Sequence, residues 1–226
     1  TFAYPGSPRP ALSAVDVEIN AGEVVALVGD DGSGKTTLAK LLSGLYGPTG
    51  GRVTWDGTDL VDLDPLARRG HMTVIFQDVI SYALTARGNA GRGRQQRAAV
   101  ARAIVEAPGV LPVDEPFGAL DLKRRHQLQA EVVRLKAVTR TTFVHVTHDH
   151  EEACAVADRI AVMRDGMIVQ VDTPLALYRT PRTAYVAEFI DVGTIVRGDV
   201  SRVTRSVTIT TPDLLLTRPA PPGPQG

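Results

Sequence analysis

A short apolar strand that leads into a glycine-rich loop is the feature that most constrains the fold of this chain. Residues 24–28, Val-Val-Ala-Leu-Val, have the length and composition of a fully buried β-strand. Residues 29–36, Gly-Asp-Asp-Gly-Ser-Gly-Lys-Thr, fit the pattern G-x-x-x-x-G-K-[ST], and leucines follow at helical spacing over residues 34–45. A strand, such a loop and a helix in this order predict a P-loop, in which backbone N–H groups and a helix N-terminus hold phosphate.

The residue types in this loop predict how a nucleotide and its metal would be bound. Lys35 is expected to reach the β- and γ-phosphates, and the Thr36 hydroxyl is expected to bind Mg²⁺. Asp30 and Asp31 place two carboxylates beside the anion, which weakens binding unless they face solvent. The predicted nucleotide ligands in and after the loop are Gly29, Asp30, Asp31, Gly32, Ser33, Gly34, Lys35, Thr36 and Thr37.

An apolar strand that ends in two acidic residues supplies a second candidate site. Residues 110–113 precede Asp114 and Glu115. Beside a phosphate loop, Asp114 is expected to be a metal ligand in the Mg²⁺ shell, and Glu115 is expected to polarise the attacking water as a general base. Acidic residues after a strand are more often solvated turn residues, so this prediction depends on the P-loop. Pro112 donates no ladder hydrogen bond, which predicts a distorted strand.

Strands and helices alternate along most of the chain, which predicts an α/β fold with a mostly parallel sheet. Further strands are predicted at 15–19, 53–55, 73–76, 142–147, 160–163 and 167–171, the last two joined at Asp165–Gly166, and helices at 94–106, 122–138 and 150–157. After about residue 191 the pattern weakens to slight β alternation and a proline-rich end. We therefore predict a domain over residues 1–190 and a β-rich segment with a disordered tail over 191–226.

Composition excludes several classes of protein. Lys plus Arg and Asp plus Glu both number 25, so the formal net charge is zero, and we expect no nucleic-acid partner. Hydrophobic residues make up 43%, which excludes wholesale disorder. No apolar run approaches the roughly 20 residues of a membrane span, so a membrane role requires a partner. The single cysteine, Cys154, excludes an internal disulfide and is expected to be a packed side chain.

In their order, these motifs resemble the ATP-binding subunits of ABC transporters, in particular those of bacterial importers, over about residues 2–190. Tyr4 resembles the aromatic residue that stacks on adenine, and Gln77, after Phe76, resembles the Q-loop glutamine that contacts Mg²⁺ or water. Asp114-Glu115-Pro116 looks like the Walker B end with its catalytic glutamate, and residues 119–121 look like the D-loop. His148 resembles the switch histidine that holds the γ-phosphate, so the resemblance implies Glu115, His148 and Gln77 as catalytic residues and Thr36, Gln77 and Asp114 as metal ligands.

The resemblance also implies the architecture, cofactors and partners. The fold would be a RecA-like P-loop NTPase with helices flanking the sheet and an N-terminal antiparallel β portion, using ATP and Mg²⁺. Two ATPase subunits would pair and drive integral-membrane permease subunits at the cytoplasmic face of the cell membrane, with a solute-binding protein acting indirectly. Residues 172–189 resemble importers of the ferric-ion, polyamine, sugar and molybdate group, in which a β-rich regulatory domain follows.

Two departures from the family pattern fall between residues 78 and 94. The signature loop aligns with Ala-Gly-Arg-Gly-Arg at 90–94, where Gly93 alone is retained as a predicted nucleotide contact. Only 15 residues separate Gln77 from Gly93, too few for the three-helix subdomain that the family places there. We therefore expect the helical subdomain to be largely missing.

Three functions remain open from the sequence. The first is an ATP-hydrolysing subunit that powers uptake of a small solute. The second is a degenerate remnant that binds ATP without coupled transport, as the two departures suggest. The third is a soluble ABC-type ATPase of DNA repair or translation, against which the zero net charge and the importer-like residues 172–189 argue. The transported substrate is not encoded in these motifs.

Overall fold

A computed structural model describes the chain in two compact units, Thr1–Ile190 and Asp191–Gly226. Within them it describes residues 1–64, 110–114, 125–127, 129–130, 132–134, 141–191 and 193, and the backbone of 199–203, 206–210 and 215–219. The predicted strand at 73–76, the predicted helix at 94–106, the proline-rich tail, and the candidate residues Gln77, Gly93 and Glu115 lie outside the described residues.

The described elements follow the predicted alternation of strands and helices. In chain order the first unit contains β1 (Val24–Val28), α1 (Lys35–Leu42), β2 (Thr54–Trp55), β3 (Thr58–Asp59), β4 (Val110–Asp114), β5 (Thr142–Val146), α2 (His150–Val156), β6 (Arg159–Arg164), β7 (Met167–Asp172), α3 (Pro174–Arg179) and α4 (Ala184–Phe189). The second unit contains β8 (Asp199–Val203), β9 (Ser206–Thr210) and β10 (Leu215–Pro219), an antiparallel sheet in the order β10-β9-β8. The predicted helix over 122–138 is helical at its described residues.

A five-stranded sheet in the order β4-β5-β1-β6-β7 forms the centre of the first unit. The first four strands in this order are parallel, and β7 returns antiparallel to β6 through the turn at Asp165–Gly166. The predicted α/β class with a mostly parallel sheet is therefore confirmed. Because both faces of the central strands are covered, every residue of β1 and β5 is buried, and β1 is an apolar run without alternation.

The first helix differs from the other three labelled helices in having no side-chain cap at its N-terminus. Asp149, Thr173 and Thr183 each accept a hydrogen bond from the third residue of the helix that follows, at α2, α3 and α4. By contrast, α1 begins after Gly34, with φ at 101°, and has no side-chain cap. The first N–H groups of α1 are therefore left for another acceptor.

One sequence-based prediction about the N-terminal region requires correction. Residues 15–19 do not form a strand, although Val15, Val17 and Ile19 are half-buried and the two residues between them are exposed. The alternation arises because this extended segment lies on the core without a ladder, and the side chain of Arg159 donates to the Glu18 carbonyl at 3.1 Å. Within residues 1–64, the antiparallel β portion consists of the Phe2–Leu12 bridge and the β2–β3 hairpin.

Two further predictions about individual residues are wrong. Pro112 does not distort β4, which pairs in unbroken parallel register with β5 from Val110 to Asp114. Among the described strands β4 stands at the end of the sheet, where a missing N–H is tolerated. Cys154 is exposed on α2, because Ala153 and Val156 take the buried side of that helix. In the described part of the chain, none of the helices combines the length and apolarity that a bilayer span requires.

Candidate functional site

The glycine-rich loop connects β1 to α1 and takes backbone conformations that suit glycine. The φ angles of Gly29, Gly32 and Gly34 are 144°, 80° and 101°. A Cβ atom at Gly29 would lie 2.1 Å from the Met163 carbonyl oxygen, and one at Gly34 would lie 2.7 Å from a methyl group of Leu12. Two of these positions therefore require glycine for close packing as well as for backbone angle.

The Lys35 amine is held over the loop by the loop's own backbone. Its Nζ donates to the carbonyl oxygens of Gly29 and Asp30 at 2.8 and 2.9 Å, and the side chain is buried. The buried Ser33 hydroxyl has no hydrogen-bond partner among the described residues, and Asp30 and Asp31 are exposed. An amine, uncapped helix amides and a spare hydroxyl form a cradle that fits an anion, with the two carboxylates on its solvent side.

The β4 strand ends at the same edge of the sheet as the glycine-rich loop. Val146 of β5 pairs with Leu27 on one side and with Asp114 on the other, and all three strands run parallel. Asp114 is therefore two strands away from the start of the loop and is only 8% exposed. Thr36, the other predicted Mg²⁺ ligand in the described chain, is half-buried in the first turn of α1.

His148 leaves β5 at this edge and is exposed. It lines a cleft of about 540 Å³ together with Asp30 of the glycine-rich loop. Both its neighbours are fixed: Asp149 caps α2 and pairs with Arg125 at 2.9 Å, and the Asp149 N–H donates to the Thr147 hydroxyl at 3.1 Å. The predicted switch histidine thus lies between two anchored residues.

A buried polar cluster beneath His148 was not predicted from the sequence. The Glu152 carboxylate accepts a hydrogen bond from the Thr147 hydroxyl at 3.0 Å and lies 3.0 Å from His145 Nε2. The side chains of His145 and Glu152 are 6% and 5% exposed. Acidic residues in a first helical turn are ordinary N-terminal signals, so the sequence contains no sign that Glu152 faces inward.

Tyr4, the predicted adenine-stacking residue, contacts the helix that follows the loop. Its hydroxyl lies 3.1 Å from the Thr37 hydroxyl oxygen. Its ring packs edge-on against Phe2 and Tyr46, with centroid separations of 4.9 and 5.6 Å. The structure therefore brings Tyr4 and Thr37 together beside the phosphate loop.

The β6–β7 hairpin supports the back of the loop. The Gly166 N–H donates to the Ser33 carbonyl at 3.1 Å, and the Gly166 carbonyl accepts from the Ser13 N–H at 2.9 Å. The sequence predicted the turn through Asp165–Gly166 but not its contact with the loop. Tyr185 of α4 also reaches this region, donating to the Met163 carbonyl at 3.1 Å.

The fold and the loop together define an α/β P-loop protein, and comparisons with known proteins identify its family. The pattern of the family described as ABC transporter matches residues 12–92. The spermidine/putrescine import ATP-binding protein PotA of Thermobifida fusca is 37% identical over 85% of this chain and 60% of its own length. The sulfate/thiosulfate import ATP-binding protein CysA of Caulobacter vibrioides is 38% identical over 85% of this chain and 69% of its own.

The chain belongs to the family of ABC transporter ATP-binding proteins. It spans 60% of the length of the T. fusca relative. A solved dimeric structure of the ATP-binding cassette MJ0796, in a post-hydrolysis state bound to ADP and Pi, shares the fold with a TM-score of 0.64 and 24% identity, covering 76% of this chain and 95% of that one.

Proposed function

We propose that this chain binds MgATP at the glycine-rich loop. The main support is the buried Lys35 amine, which lies over the loop at the uncapped N-terminus of α1. Asp114 lies at the same edge of the sheet. Thr36 and Asp114 would hold Mg²⁺ together with the nucleotide phosphates, which suits an ion usually bound through one or two protein oxygens and substrate. In the described residues no group of three or more His, Cys, Asp or Glu side chains forms a metal cage. Tyr4 would stack on the adenine.

We further propose that the bound ATP is hydrolysed. Lys35 would neutralise phosphate charge, and His148, which lines the cleft beside Asp30, would hold the γ-phosphate. Glu115 follows the last residue of β4 and would polarise the attacking water, while Gln77 would contact Mg²⁺ or that water. Gly93 would contact the nucleotide held by a second subunit.

The proposed setting is import across a membrane. Relatives named as import ATP-binding proteins support a role in powering uptake of a small solute. The chain would pair with a second ATPase subunit, bind permease subunits at the cytoplasmic face of the membrane, and act with a solute-binding protein indirectly. We assign residues 1–190 as the ATP-binding domain and 191–226 as the beginning of a β-rich regulatory segment.

A titration with a fluorescent ATP analogue and Mg²⁺ tests the binding site. Lys35→Ala removes the amine at the loop, and Lys40→Ala, which removes the same charge later in α1, is the matched control. We expect saturable binding by the wild type and the control, and a loss of at least about tenfold in affinity for Lys35→Ala, because a charge-assisted contact is removed. Equal affinities for all three proteins would refute the assignment.

A remnant that binds ATP without coupled transport is the second candidate. The short interval between Gln77 and Gly93 favours this candidate. The alignment with the T. fusca relative points the same way: it extends over 235 positions, more than the 226 residues of this chain, although only 85% of the chain is aligned. This chain therefore lacks residues that the relative has, which supports our proposal of a missing helical subdomain.

The Glu115→Gln variant separates the two functions. A competent ATPase should lose turnover while keeping ATP binding, and this variant should form a dimer only with MgATP. Size-exclusion chromatography with and without MgATP measures the dimer, and phosphate release measures turnover. A monomer under both conditions, with negligible turnover in the wild type, would select the remnant.

A further inference from the structure

Tyr185 on α4 joins two backbone segments beside the phosphate loop. Its hydroxyl donates to the Met163 carbonyl oxygen at 3.1 Å and is the acceptor for the Asp30 N–H at 3.4 Å. The same Met163 carbonyl leaves no room for a Cβ at Gly29. One hydroxyl therefore connects the start of the loop to the end of β6, where Gly29 packs closely against Met163.

The ring of Tyr185 is held in place by two neighbouring side chains, Arg164 and Phe189. The Arg164 guanidinium lies over the ring, 4.7 Å from its centroid, and the Phe189 ring lies 6.3 Å away. The helix that carries it is capped by Thr183 and buries Val186, so the hydroxyl extends from an anchored element.

The protonation of Tyr185 suits this contact. Burial, the largest effect, raises the pKa of Tyr185. The Asp30 carboxylate adds to that rise, whereas the hydrogen bond from the Asp30 N–H and the Arg164 charge oppose it. The hydroxyl consequently keeps, at neutral pH, the proton that it donates to Met163.

The contact leads directly to the predicted phosphate ligand. The Asp30 carbonyl oxygen accepts a hydrogen bond from the Lys35 amine, and the Asp30 N–H donates to the Tyr185 hydroxyl. Tyr185, Asp30 and His148 also line one cleft. None of the motifs that identify the P-loop includes a residue from this part of the chain.

We propose that Tyr185 is a positioning residue for the phosphate loop, whose hydroxyl fixes Asp30 and, through it, the Lys35 amine in the place where nucleotide phosphates bind. This inference rests on the proposed nucleotide binding. It adds a tether from the last helix of the first unit to the loop.

Two tyrosine variants test the tether. Tyr185→Phe removes only the hydroxyl, and Tyr178→Phe makes the same change at an exposed residue of α3. In the nucleotide-free chain, we expect the amide hydrogen of Asp30 to exchange about two- to tenfold faster in Tyr185→Phe, as the loss of one net hydrogen bond implies. Amides of residues 25–27 in β1 should keep their rates, and Tyr178→Phe should match the wild type throughout.

Nucleotide affinity supplies the functional readout. With Mg²⁺, the fluorescent ATP analogue should bind Tyr185→Phe about two- to tenfold more weakly than Tyr178→Phe. Inorganic tripolyphosphate, used as a competitor, should lose affinity by the same factor, because the tether acts on the phosphates and not on the base.

The exchange rates and affinities together decide whether Tyr185 positions the loop. Unchanged exchange at Asp30, or equal acceleration through β1, would overturn the proposal, the second by showing a merely structural role. Faster exchange confined to the loop with unchanged affinity would also overturn it. If the wild type bound no nucleotide, faster exchange confined to the loop would still support the tether, and the proposed nucleotide binding alone would fail.

Discussion

Replacing Glu152 by leucine should destabilise the first unit far more than the same change at the adjacent Glu151. The Glu152 carboxylate is buried, accepts from the Thr147 hydroxyl at 3.0 Å and lies 3.0 Å from His145 Nε2. Leucine is close to glutamate in size but offers no acceptor. The change therefore removes the acceptor of the buried Thr147 hydroxyl and the carboxylate that lies beside His145.

The expected cost follows from the Thr147 hydroxyl. A buried donor left without its acceptor costs about 1–3 kcal/mol. We therefore expect Glu152→Leu to lower the free energy of unfolding by about 1–3 kcal/mol. Glu151 is exposed, so Glu151→Leu should change it by no more than about 0.5 kcal/mol.

Urea unfolding followed by circular dichroism measures both variants. The comparison is valid when the dependence of the free energy on urea is unchanged, so that only the midpoint moves. Adding Thr147→Val to Glu152→Leu removes the donor that Glu152 accepts, so the double variant should lose less stability than the two single variants together, with a coupling energy of about 0.5–3 kcal/mol. Equal midpoints for Glu151→Leu and Glu152→Leu would refute the inference that the carboxylate stabilises this buried cluster.

Three further predictions concern the loop and its surroundings. Gly29→Ala should lower the free energy of unfolding by at least about 2 kcal/mol in the same urea assay, because φ is 144° and the new methyl group meets the Met163 carbonyl. Gly47→Ala is the control and should be nearly neutral, because no atom lies within 4 Å of a Cβ at that position. Arg125→Ala should cost no more than about 1 kcal/mol, because the pair with Asp149 is partly exposed, and the cost should shrink in 1 M salt; a loss of several kcal/mol would contradict this. Burial raises the pKa of Tyr185. The protonated hydroxyl therefore contributes its full stabilisation below the ordinary tyrosine pKa of about 10, and this stabilisation is lost as pH rises through the higher pKa of the folded state. The difference in unfolding free energy between wild type and Tyr185→Phe should narrow over that pH range, and a constant difference would contradict the raised pKa.

Local sequence patterns were sufficient to predict the central elements. The β1 strand was predicted at its observed residues because five consecutive apolar residues suit a strand buried on both faces. The loop was predictable because glycine at 29, 32 and 34 meets a backbone requirement that few other residues meet. By contrast, the alternation at residues 15–19 was misleading, since half-burial in an extended segment gives the same pattern as a strand without its ladder.

The sequence alone therefore determined the α/β class, the P-loop and the family resemblance, because these depend on residue types a few positions apart. Only the tertiary structure decided which distant groups support the loop and the residues beside His148. Tyr185 is 155 residues from Asp30, and Arg125 is 24 residues from Asp149. Such contacts depend on how parallel strands and their connecting helices pack, and no short-range pattern records that packing.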